Sequence, residues 1–551
     1  MAQPRKGFSR RALMGTVAAA AVVGTAAFTL GARNTDLVRR SQAGDKTLNR
    51  GNGAEPDTLD PQKIQTDWEN NIVGDMFMGL MTEDAAADPV LGAALSFTKS
   101  ADGLTYTFKM RQHKWSDGTP VTADDFVFSY RRILDPKTAA QYASLLYPIK
   151  NAQAVNGGKL PVTALGVRAI DPMTLEMRFE FDVPYLPRLL THYTSMPVPK
   201  HIVEKYGDAW LDPKHVATNG AYVLKEWIPN DRITLVKNSH FYDAANVKIE
   251  TVNFYPTSDY AAALKRFRAG EFDTAKGVPS SEIGWLRDNL PHVLRLAPIY
   301  ASQYVQFNCS RKPFDDARVR QAASMLIDRE IIARRVMSAG EKPAYALVPP
   351  EMPGYSGTAQ LRYRQIAMSA RVAKAKALLA EAGYGPGKAL TFDYSYQNET
   401  DARLIAVALQ SMWEQVGAVV NLVPADSQVH YAAMRRQDFM AAWAGWVADY
   451  LDAKDFLFLG QTSSKDMNLG RYSNPKFDAL VAQSDMTDDE GERGQILARA
   501  EQIMLDDAAF APVFYAVTRA IVSEQVKNWI DNGVTINRTR YMWVDRAIAG
   551  A

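Results

Sequence analysis

Apolar and polar positions change period repeatedly along this chain without settling into a repeat. In "YTFKMRQHKWSDGTPVTADDFVFSYRRIL" the residues Tyr106 to Met110 alternate apolar and polar, the period-two signature of a half-buried strand. Ser116 to Thr119 then supply an Asp-Gly turn, and Thr122 opens a helix with Asp125 at capping-box spacing. The adjacent Asp124 and Asp125 look like paired catalytic acids, but a helix macrodipole favours first-turn carboxylates without any chemistry. "PFDDARVRQAASMLIDREIIARRVMSAG" predicts helices starting at Asp315 and Asp328 and a stop at Gly340. "SARVAKAKALLAEAGYG" predicts another that stops at Gly383, with Arg371, Lys374 and Lys376 forming a solvated face. "GYGPG" follows a helix rather than a strand, so it reads as a helix-ending turn and not as a dinucleotide loop. From Thr47 onward these elements run together with no low-complexity linker, which predicts one mixed α/β assembly.

Composition adds scale. At 551 residues, 47% apolar and 10% aromatic, the chain exceeds what one core holds, roughly 250 to 300 residues, so two or more packed lobes are expected. Charged residues make up 23% with both signs interspersed, which argues against disorder and against nucleic-acid binding. Residues 1–32 read as an export signal, with a basic start, an Ala/Val-rich run and small residues at its end. Arg10 and Arg11, in "SRRALM", resemble the twin-arginine signal of folded exported proteins. The run from Ala12 to Ala32 spans 21 residues, long enough by the ~20-residue rule to persist as an anchor, while "LGA" suits cleavage. Removing its four positive charges from the net +2 would leave the remainder slightly acidic. Cys309 is the only cysteine, so no intrachain disulfide and no lipid-bearing cysteine is expected, and a buried thiol is the reading for it.

The search for catalysis comes out negative. His113, His192, His201, His215, His240, His292 and His430 include no pair four residues apart and no H-E-x-x-H, and no G-x-S-x-G elbow exists. "SFTK" and "SNPK" satisfy S-x-x-K, but the companion elements of that chemistry are absent. Binding is left, and "GWVADYLDAKDFL" bears on it. Asp449 follows Trp446, Val447 and Ala448 in a stretch that otherwise reads as buried strand. An ionised carboxylate removed from water costs several kcal/mol unless a positive or hydrogen-bonding partner meets it. Either a Lys or Arg of the chain or a ligand supplies that partner.

At "WSDGTPVTADDFVFSYRR", "TNGAYVLKEW", "RFRAGEFD", "RKPFDDARVRQA" and "GWVADYLDAKDF" the chain resembles the family-5 solute-binding proteins of peptide ABC importers, with the motifs in family order from Thr47 to the C-terminus. The resemblance implies a two-lobed α/β periplasmic binding protein of the class II, cluster C type, with an extra third domain. Residues 45–77, 202–300 and 517–551 would form one discontinuous lobe, 78–201 the extra domain and 301–516 the other lobe. It implies that Asp449 meets a peptide's α-ammonium while the backbone of Gly445 and Val447 pairs with the ligand as an added strand. It assigns weaker lining roles to Gln65, Asp67, Tyr142, Arg435, Trp446 and Tyr515, and a turn to Asn219 and Gly220. This chain has Val447 and Trp443 where relatives carry a cysteine and an arginine, and Ser427 where a cleft tryptophan stands, so the side-chain pockets differ. Ala402 falls where relatives use a histidine for the peptide's C-terminus, with Arg403 beside it as a substitute. The partners implied are a peptide and an inner-membrane permease with its ATPase subunits, for a monomer without cofactor. With few histidines and one cysteine, no metal site is expected.

Overall fold

The structure, a computed structural model, describes residues 45–547 apart from 466 and 488. The export signal expected over 1–32, with Arg10 and Arg11, lies outside the described residues. Among the described residues no helix is long and apolar enough to cross a membrane.

One large mixed sheet organises the molecule. Its strands run in the order Val419–Ala425, Thr391–Gln397, Ala441–Val447, Leu294–Phe307, Phe510–Val522, Thr274–Lys276, Thr47–Gly51, Thr251–Tyr255, Arg232–Lys237, Tyr222–Ile228. Two of these, Leu294–Phe307 with 14 residues and Phe510–Val522 with 13, are more than twice the usual strand length of about 5 to 6. They pair antiparallel, and each half of the pair serves a different group of neighbours. Leu294 to Pro298 pair with Val517 to Ile521, beside the Thr274–Lys276 strand, whereas Ala301 to Phe307 pair with Ala441 to Val447. The register slips between Pro298 and Ser302, where Tyr300 instead donates to the Gly533 carbonyl (2.7 Å) and accepts from the Ala448 N–H (2.8 Å). On the far side of that slip Phe307, Phe314, Phe392 and Trp413 pack edge to face and stacked in a buried aromatic core.

A separate four-stranded sheet carries the Thr105–Met110 strand, and the helix Ala123–Leu134 follows it. Asp125 Oδ2 accepts the Thr122 N–H at 2.9 Å, so the capping box and the first-turn acids are structural, as their spacing predicts. Asn219 brackets Met78, accepting its N–H (3.0 Å) and donating to its carbonyl (2.8 Å), and this docks the chain against the end of the helix Asp67–Met76. Gly220 is required there by close approach, because a Cβ would stand 2.6 Å from the Met76 backbone.

Two local readings change. The helix expected from Asp315 spans Ala317–Met325, and it is Asp316 whose carboxylate accepts the Arg318 N–H, since the chain reaches helical geometry one residue later. Arg371 is not on a solvated face. It is buried on the helix Met368–Glu381 with its guanidinium 6.0 Å from the Tyr363 ring, while Lys374 and Lys376 are exposed. Cys309 is half-buried beside the Phe307 carbonyl, and burial pushes its thiol up, as expected of an inert residue.

Candidate functional site

The strand Ala441–Val447 has two unlike edges. Along one it pairs fully with Ala301 to Phe307, and the Ala448 N–H continues that ladder to the Tyr300 carbonyl. Backbone direction alternates along a strand, so Trp446 and Ala444 also face that ladder while Trp443, Gly445 and Val447 face the other edge. There the neighbouring strand Thr391–Gln397 pairs only with Ala441 and Ala442, and His430 Nε2 meets the Trp443 carbonyl at 2.9 Å. Beyond that point the N–H and C=O groups of Gly445 and Val447 have no strand beside them among the described residues, and they border a cavity of about 310 Å3. That volume lies within the range of small-ligand sites, roughly 300 to 1,000 Å3.

Asp449 stands where this free edge ends. Among the described residues no Lys or Arg pairs with its carboxylate; the sole cationisable contact is His192, whose Nε2 lies 3.5 Å from Oδ1. His192 Nδ1 meets Thr194 Oγ1 at 2.9 Å, and Nε2 makes no hydrogen bond to Asp449 among the described residues. Asp449 Oδ2 is buried with no hydrogen-bond partner among the described residues. A second acid lies behind it. Asp455 is fully buried, and its Oδ2 accepts from Trp446 Nε1 (3.0 Å) and from the Asp449 N–H (2.9 Å). Burial, and after it the Asp449 charge, push the Asp455 carboxyl well above the usual carboxylate range. Asp455 therefore shapes the turn from within, and Asp449 is the acid that faces the cavity.

Aromatic rings enclose that carboxylate. Tyr142 stacks on Trp446 at 6.3 Å and lies 5.7 Å from His192, with Tyr193 at 5.8 Å. Burial, followed for Tyr142 by the Asp449 charge, pushes both phenols well up, so both remain neutral hydroxyls. A cation placed at Asp449 would meet an anion and the faces of these rings together.

The structure brings Gln65, Asp67, Tyr142, Arg435, Gly445, Trp446, Val447 and Asp449 to one cavity, together with Ser427. Asp67 opens the helix Asp67–Met76, whose N-cap Thr66 forms a capping box with Glu69. Opposite, Arg435 Nη1 donates to Gln65 Oε1 (3.1 Å) and Gln428 Nε2 to Asp57 Oδ1 (2.6 Å), two contacts that span the cavity from the helix Ser427–Arg435. Three expected residues lie elsewhere. Trp443 is buried in the aromatic core, 5.9 Å from Phe514, because that half of its strand is already covered. Tyr515 donates to the Ala346 carbonyl (3.0 Å), which ties its hydroxyl to a loop rather than to the cavity. Arg403 is exposed on the helix Thr400–Glu414, where it donates to Asn398 Oδ1 (2.6 Å). His192, Tyr193 and Asp455 escaped the sequence reading. Only Asp455 carried a signal, as a further acid within the same apolar stretch.

Comparison with known proteins bears on the whole chain. The sequence model of bacterial extracellular solute-binding proteins, family 5 Middle, matches residues 88–468. The chain is 38% identical over 501 residues to the periplasmic oligopeptide-binding protein OppA of Salmonella typhimurium, covering 90% of this chain and 91% of that one. It is 37% identical over 468 residues to the probable deoxycholate-binding periplasmic protein YgiS of Escherichia coli, covering 84% and 87%. Among solved structures, the Escherichia coli murein tripeptide binding protein MppA superposes with a TM-score of 0.87 at 33% identity over 91% of this chain and 99% of that one. The unliganded open form of MppA gives only 0.67 over 91% and 98%. The mixed α/β, multi-domain binding-protein fold expected from the motifs is thus the fold observed, and the chain belongs to family 5 of the bacterial extracellular solute-binding proteins.

Proposed function

We propose that this protein is the extracytoplasmic solute-binding subunit of an ABC importer and that it captures short peptides through their backbone and free amino end. The observation that carries this reading is the unpaired edge at Gly445 and Val447 running into the uncompensated Asp449 carboxylate. An extended peptide added at that edge gains main-chain hydrogen bonds that every sequence can make, so binding tolerates sequence while Asp449 selects the ammonium. Trp446, Tyr142, Gln65, Asp67 and Arg435 form the walls, and nothing in this arrangement requires turnover. The solute would pass to a membrane permease and its ATPase subunits.

The lobes we assign are 45–77 with 202–300 and 517–551, and 301–516, with 78–201 as the extra domain. The register slip at Pro298 to Ser302 supports a boundary where the two long strands change neighbours, since a break in pairing is where a strand bends most easily. Better agreement with one MppA structure than with the open form supports a closed arrangement here. Closure is stabilised by whatever binds the closed form better. Native protein should therefore release short peptides on denaturation, identifiable by mass spectrometry. A peptide at 100-fold excess over Kd should add about 2.7 kcal/mol and raise the melting temperature. If a panel of two- to six-residue peptides at millimolar concentration leaves melting unchanged, and a steroid carboxylate such as deoxycholate raises it, the peptide reading is overturned.

Residues 1–32 act, in this reading, as a twin-arginine export signal, supported by the periplasmic relatives and by "SRRALM". Changing Arg10 and Arg11 together to Lys should hold the precursor in the cytoplasm, assayed by cell fractionation. Unchanged periplasmic protein would assign export to the general secretory route.

A further inference from the structure

The cavity also contains a lysine with no ion-pair partner among the described residues. Lys276 ends the short strand Thr274–Lys276 and lines the same cavity as Asp449, on the opposite charge sign. Its Nζ donates to Asn71 Oδ1 (3.1 Å) and to the Thr535 carbonyl (2.8 Å). Both partners are neutral, and an ammonium carries three donors, so one N–H is left over. Among the described residues no carboxylate is in ion-pair contact with it. Asp67, one helical turn before Asn71, acts on it only from a distance, while the neighbouring acids are committed: Glu83 to Arg538 at 2.8 Å and Asp75 to Arg50 at 4.0 Å. Burial pushes the Lys276 ammonium down to about 8, with Asp67 opposing and Arg50 and Arg538 adding to the fall. Lys276 is half-buried, and a neutral side chain could bond Asn71 and Thr535 without the desolvation cost that an ammonium bears.

We propose that Lys276 receives a carboxylate of the bound peptide, so that the preferred ligands are zwitterions whose ammonium meets Asp449 and whose carboxylate meets Lys276. This rests on the peptide reading above. The carboxylate has two possible sources, the C-terminus of a short peptide or an acidic side chain, and both present the same pair of oxygens to the third N–H. The sequence reading had looked for this group at Arg403, which faces solvent.

The test uses the full protein and the panel peptide that gives the largest melting shift. Calorimetry compares that peptide with its C-terminal amide and with an analogue whose acidic side chains are replaced by their amides, on the parent and on Lys276→Met. Loss of a charge-assisted hydrogen bond should weaken the parent about ten- to a hundredfold for one of the amides and change Lys276→Met by less than about twofold. Whichever amide shows the loss identifies the source. Equal binding of the acid and both amides by the parent overturns the role of Lys276 and leaves the peptide reading standing. An equal loss in the parent and in Lys276→Met assigns the carboxylate to another cation and also overturns it. Failure of every peptide to bind overturns the peptide reading and this inference with it. Should Lys276→Met fold poorly, the amide series on the parent still decides, because it needs no variant.

Discussion

Asp449→Asn is expected to weaken peptide binding by about two to three orders of magnitude. The carboxylate sits at a free strand edge inside an aromatic enclosure, with Oδ2 buried and unpartnered and its side chain only 17% exposed. Removing one member of such a buried pair leaves the other uncompensated, at about 3 to 5 kcal/mol, and each 1.4 kcal/mol is tenfold in affinity. N-acetylation of the peptide should weaken binding to the parent by a similar factor, and the two changes should not add, since each removes the same pair. The pH dependence has a definite sign. Free peptide amines titrate near pH 7.7 to 8.0, and pairing with Asp449 raises that value in the complex. Affinity should therefore be flat below the free value and fall above it until the bound value is passed. The groups facing the ammonium are Asp449, His192, Tyr142, Tyr193 and the buried Asp455, of which burial holds the two phenols well above their ordinary range. Equal calorimetric affinities for acetylated and free peptides would make His192 the partner of Asp449 and remove the ammonium from the site.

Arg493→Met should cost about 3 to 5 kcal/mol of stability and loosen the turn that presents Asp449. Arg493 reaches from the helix Glu490–Asp506 with two parallel hydrogen bonds to Asp452, at 2.6 and 2.9 Å, and both side chains are nearly buried, at 6% and 8% exposure. Asp452 Oδ1 also accepts the Lys454 N–H at 2.9 Å, so the carboxylate organises the backbone just past Asp449. The guanidinium lies over the Tyr185 ring at 5.1 Å, and Tyr185 stacks on Tyr450 at 5.5 Å, which joins the same turn to the neighbouring aromatic layer. Without Arg493, Asp452 would be a buried anion with no counterion. Adding Asp452→Leu to Arg493→Met should recover most of the loss, because a pair replaced by apolar groups is often neutral. Equilibrium denaturation followed by tryptophan fluorescence measures both. A single variant costing less than about 1 kcal/mol would mean that the pair is solvated.

Much of the fold was legible because its signals are local. The Thr122 cap, the Asp117-Gly118 turn and the alternating Tyr106 to Met110 depend on residues a few positions apart, and the structure contains each. Arg371 misled for the converse reason. It lies in an Ala- and Lys-rich stretch, yet the Tyr363 ring lies 6.0 Å from its guanidinium, and no periodicity within the helix announces a ring arriving from another segment.

The site divides along the same line. By itself the sequence determined that a carboxylate follows an apolar strand at Asp449, that the family motifs surround it, and that it carries no H-E-x-x-H or G-x-S-x-G motif. Only the tertiary structure decided that the edge at Gly445 and Val447 is free, because a strand's periodicity states which face is buried and never which neighbour pairs with which edge. It decided too that Asp455 is buried behind the turn while Asp449 faces the cavity, and that Trp443, Tyr515 and Arg403 point away from the cavity while His192 and Lys276 border it. Charge state and access follow from desolvation and contact with groups far away along the chain, such as Tyr142, His192 and Asn71, and those distances close only when the chain folds.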